Sequence, residues 1–179
     1  MTSQYSFIKR VATISAAAAL FLTGCDEQAP KEPAAASVKP ASRDFAIAAR
    51  GWIDHSDKIS PAVWLASREA GRDVAPDDPA AQSMRGLLDD ADARFTEGPR
   101  MIANRAVQVE SMLAERGVKE TPRDVIEALV SIAPVGERAG FGETCQHYVN
   151  ARAATETRVA ALQALRREPL PAAGPGDER

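Results

Sequence analysis

The chain has 179 residues, with 22 basic and 25 acidic side chains and a formal net charge of −3. No basic run and no interleaving of aromatic with basic residues is present, which argues against a nucleic-acid footprint. Two histidines are too few for a three-histidine metal site within one subunit.

The chain opens on a polar stretch, Met1 to Arg10, that ends in the basic pair Lys9 and Arg10. Val11 to Leu22 is apolar and uncharged, Thr23 and Gly24 are small, and Cys25 follows. A basic start, a short apolar core and small residues before a cut are the layout of a secretory signal. The apolar run falls short of the roughly 20 residues that a spanning helix needs. "LTGC", Leu22 to Cys25, resembles the lipobox of bacterial lipoproteins. That resemblance implies a thioether from the Cys25 thiol to a diacylglycerol, cleavage before Cys25 and acylation of the new amine. The partner so implied is the lipid bilayer, gripped by acyl chains that together make a durable anchor. Asp26 is similar to the residue found there in enteric lipoproteins kept in the inner membrane. The expected place is therefore the periplasmic face of the inner membrane, with the outer membrane as the alternative. Cleavage would remove Lys9 and Arg10, leaving 20 basic and 25 acidic side chains and a net charge of −5.

The chain divides into a signal over 1–24, the lipidated cysteine and a linker over 25–42, a helical domain over 43–168 and a tail over 169–179. The linker is Pro, Ala and charge with almost nothing to bury, so it is expected to be disordered. Extended at about 3.1 Å per residue, it reaches roughly 50 Å. The tail, "PLPAAGPGDER", has the same character.

Between them the pattern is all-α, a bundle of about five helices. Ser42 can cap a short helix over 43–53 with Phe45, Ala49, Trp52 and Ile53 on one side. Ser60-Pro61 opens a second, which Gly71 ends. Asp78-Pro79 opens the strongest periodic stretch. Met84, Leu88, Ala91 and Phe95 share one face, and Ile102, Ala106, Val109 and Leu113 repeat the rhythm. Gly98-Pro99 interrupts it, which predicts a kinked helix or two nearly collinear ones ending at Gly117. Thr121-Pro122, with Asp124 as capping partner, opens a helix that stops at Pro134. The last helix is expected over 143–168. Trp52 and Trp64 are expected in the core; an exposed one would be the best interface residue.

Chemically able groups gather in "GFGETCQHYVNAR", Gly140 to Arg152. At roughly 100° per helical residue, Cys145 and His147 point about 160° apart and form no local dyad. Cys145 reads as a small buried apolar residue. His55 reads as an exposed loop residue, and Asp77, Asp78, Asp89, Asp90 and Asp92 as a cap and a solvated face; no calcium loop is present. Arg100, Asn104 and Gln108 recur four apart and read as a solvated face or a strip for a partner helix. Tyr148 and Arg152 are further candidates for contact.

These features predict a membrane-anchored periplasmic lipoprotein whose helical domain binds or scaffolds, an accessory subunit of a cell-envelope complex with a protein partner. No enzymatic activity, cofactor or metal is expected. One alternative is a haem or small-ligand binder using His147, although the C-x-x-C-H of c-type attachment is absent. Another is a thiol-dependent enzyme with Cys145 as nucleophile.

Overall fold

Proline sets the start of four helices in the computed structural model, which describes residues 46–136, 138–155 and 157–172. Cys25, Asp26, the linker and most of the tail lie outside the described residues. The helices are α1 (Pro61–Ala70), α2 (Pro79–Asp92), α3 (Pro99–Ala114), α4 (Pro122–Val130), α5 (Phe141–Ala154) and α6 (Arg158–Leu165). Each of α1 to α4 has proline in its first turn, where the missing N–H would have had no intrahelical partner. Asp78 caps α2 by accepting from the Ala80 N–H, and Thr121 with Asp124 forms a full capping box on α4. Gly71 ends α1 at φ 64°, a left-handed conformation that glycine adopts without a Cβ penalty.

The periodic stretch resolves into two separate helices, α2 and α3. Phe95 and Ala139 form an isolated parallel bridge between them and the segment entering α5. All eight residues of the predicted apolar stripe, from Met84 to Leu113, are buried. Phe95 meets Phe141 edge to face at 4.9 Å, fastening the α2–α3 junction to the start of α5. Helix α3 packs against α1, α2, α4 and α5. It is therefore buried over a wide arc, including Ala103 and Val107 beyond the stripe.

Two helix predictions need correction. No helix forms over the described part of 43–53: residues 46–49 make turns and the chain then runs irregularly to Ser60. Its backbone is held by side chains from elsewhere. Asp73 Oδ1 accepts from the Ile47 and Ala48 N–H groups, both at 2.8 Å. Asn104 Oδ1 accepts from the Ile53 N–H at 3.1 Å, and its Nδ2 donates to the Ile53 carbonyl at 2.9 Å. The single helix over 143–168 is instead α5 and α6, because Thr155 turns extended (φ −133°) and Thr157 caps a new start by accepting from the Ala160 N–H. Among the described residues no helix is long and apolar enough to cross a membrane.

Asn104 is 1% exposed and each of its two bonds satisfies a buried main-chain group. Asn104→Ala should leave the Ile53 N–H and C=O without partners, at a cost of about 2–4 kcal/mol from the penalty for stranded buried polar groups. A urea midpoint unchanged from the parent would contradict that role.

Candidate functional site

Three buried polar centres hold the helices together. The first is Asn104. The second is Glu97, 3% exposed, in the junction before α3. Its carboxylate accepts from the N–H groups of Phe141 at 2.7 Å and Gly142 at 2.6 Å, and Thr96 Oγ1 donates to it at 3.0 Å. Gly140, at the cap position of α5, has no side chain to satisfy that first turn. Glu97 supplies the acceptor from 44 residues away, with its charge at the positive end of the helix dipole.

The third is Glu120, 6% exposed, just before the α4 cap. Tyr148 Oη donates to Glu120 Oε2 at 2.6 Å, and Arg152 Nε donates to Oε1 at 2.7 Å. Arg158 approaches the same oxygen at 3.5 Å and pairs with Asp124 at 3.1 Å. One carboxylate thus ties the approach to α4 to both α5 and α6. Burial, then the Glu120 carboxylate, holds the Tyr148 hydroxyl protonated well above its ordinary range. Tyr148 acts here as a fixed donor.

The predicted contact residues separate. Arg100 and Gln108 are exposed, but Asn104 turns inward, so the three form no continuous strip. Gln108 accepts from Arg105 at 3.3 Å. Tyr148 and Arg152 are buried against Glu120 and offer no surface. Trp64 is buried, with its Nε1–H donating to the Arg50 carbonyl at 3.1 Å and Arg68 stacked 5.7 Å from the ring centre. Trp52 is 49% exposed, against the expectation that it packs in the core.

His147 lies on the exposed face of α5 and borders a shallow cleft of about 240 Å³ with Asn150, Ala151, Ala164, Leu165 and Glu168. No methionine lines that cleft, and its volume is below the roughly 300 Å³ at which small-molecule pockets begin. His55 is exposed, its Nδ1 2.7 Å from Asp54. Cys145 is buried; burial first, and then the carboxylates of Glu97 and Glu143, raise its thiol pKa against the opposing pull of Arg105. Such a thiol is a poor nucleophile. Among the described residues no three His, Cys, Asp or Glu side chains are placed to share a metal ion.

A half-open cleft of about 350 Å³ lies where the chain leaves α6. Ile132, Pro134, Leu165 and Leu170 line it, with Arg138, Arg166 and Glu168 among its polar groups. The Gly140 N–H donates to the Pro171 carbonyl at 3.0 Å, which holds the last described segment against the start of α5.

The sequence reading missed Glu97 and Glu120. Glu120 had one local signal, a charge in the slot before an N-cap where an apolar staple residue often packs. Glu97 had none, since its partners are the N–H groups of a distant helix.

Three outcomes test these assignments. Glu120→Ala should cost about 3–5 kcal/mol, the usual result of stranding a buried partner charge such as Arg152. Denaturant titration reads it, and a loss below about 1 kcal/mol would contradict a structural Glu120. Cys145 should react with a thiol reagent no faster than the protein unfolds. Because its folded pKa is raised, the protonated thiol contributes stability that is whole below the unfolded value of 9.0 and lost as pH climbs above it. Cys145→Ala should make that alkaline decline shallower just above about pH 9, where Cys145 contributes more than Tyr148 in the unfolded chain.

No curated protein and no solved structure shows significant similarity to this chain. Residues 62–169, which hold all three buried centres and every helix but the first residue of α1, match the MoxZ family, and the chain belongs to that family.

Proposed function

We propose that the chain is a membrane-tethered accessory protein of a methanol dehydrogenase-type system, a binding domain that acts through a protein partner in the cell envelope. The family match over residues 62–169 is the observation that carries this reading. The disposition of the polar groups supports it. Glu97, Asn104, Glu120, Tyr148 and Arg152 are bonded to other parts of the chain, and their bonds fix helix ends and loops. Tethering rests on the "LTGC" stretch at Leu22 to Cys25, which points to acyl chains on Cys25 and to the periplasmic side of a membrane, with Asp26 favouring the inner one.

Removing the gene should lower methanol-dependent dye reduction in the envelope fraction several-fold, and the wild-type chain should restore it. The purified chain alone should reduce no dye. Unchanged dye reduction in the deletion strain would end the accessory reading. Cys25→Ser should leave an uncut precursor, and a variant processed and membrane-bound like the parent would end the tethering reading.

A further inference from the structure

Among the described residues, Trp52 is the large aromatic that the fold leaves out, and the backbone around it is fixed. The Arg50 carbonyl accepts from Trp64 Nε1 and from Arg68 at 2.9 Å. One residue beyond Trp52, Ile53 is buried and clamped on both main-chain groups by Asn104. An indole held outward on a pinned segment loses little freedom when it meets a partner, which is what makes such residues effective anchors. Trp52 also lies outside the residues that match the family.

We propose that this partner is the bilayer surface: Trp52 inserts at the headgroup level and seats the domain on the membrane that carries its acyl chains. The inference rests on the tethering reading above and deepens it. Twenty residues separate Cys25 from Ala46, where the described chain begins, and Trp52 follows six residues later. The segment bearing it is therefore the described part that the tether brings nearest the lipid along the chain. A chain of twenty residues spans at most about 70 Å. Confinement within that reach raises the segment's effective concentration at the bilayer, which helps a weak contact to become populated. Charge does not oppose the contact. Over 46–60 the chain carries Arg50 and Lys58 against Asp54 and Asp57, a net of zero, with Arg50 and Asp57 paired at 2.8 Å. The segment itself therefore carries no net charge that an anionic surface would repel. Tryptophan is the side chain most at home there, apolar in body with one N–H for the wet side.

The test uses the full acylated protein, purified from membranes and reconstituted into phosphatidylcholine–phosphatidylglycerol vesicles, with and without lipids brominated near the headgroup. The chain has two tryptophans, and Trp64 is buried. Bromolipid should quench up to half of the emission in the parent and almost none in Trp52→Phe, whose circular dichroism and melting should match the parent. Flotation of the same vesicles separates the two readings. A protein that floats while Trp52 stays open to aqueous iodide and dark to bromolipid overturns this proposal and leaves the tether standing; Trp52 would then face a protein. A protein that does not float overturns both.

Discussion

The Glu120 carboxylate is the interaction on which the second half of the structure depends. It is buried just before α4 and collects the Tyr148 hydroxyl and the Arg152 guanidinium from α5, with Arg158 of α6 alongside. A buried charge is costly unless its lone pairs are filled. Tyr148 and Arg152 supply hydrogen bonds to Glu120, and Arg158, the first residue of α6, adds a charge at 3.5 Å.

Glu97 and Asn104 apply the same logic elsewhere. Each takes side-chain capacity from one element and gives it to the main chain of another: Glu97 to the first turn of α5, Asn104 to Ile53. The apolar core supplies the bulk attraction without direction. These three residues add direction to the packing of the six helices among the described residues. Groups committed in this way set the shape of the domain.

What the sequence made legible follows from range. Helix starts were readable because proline and its capping residue act within one turn, as at Ser60-Pro61, Asp78-Pro79 and Thr121-Pro122. The buried stripe from Met84 to Leu113 was readable because periodicity is local. The helix expected over 43–53 failed because Asp73 and Asn104 take its backbone from 26 and 51 residues away. Asn104 was misplaced because a stripe implies one buried side, whereas α3 is enclosed by four neighbours. Tyr148 and Arg152 lay four apart on one face, a visible pairing, but nothing nearby revealed the acid between them.

The reading that these buried polar groups serve to hold the fold is tested most directly with Tyr148→Phe, which deletes one hydroxyl and keeps the ring. The measurement is the methanol-dependent activity that this variant supports in a strain lacking the parent gene, per folded molecule. The account predicts the parent's level, with only a lower melting temperature. A variant that is folded and as abundant as the parent, yet supports no activity, would contradict it and make the hydroxyl a participant in the reaction.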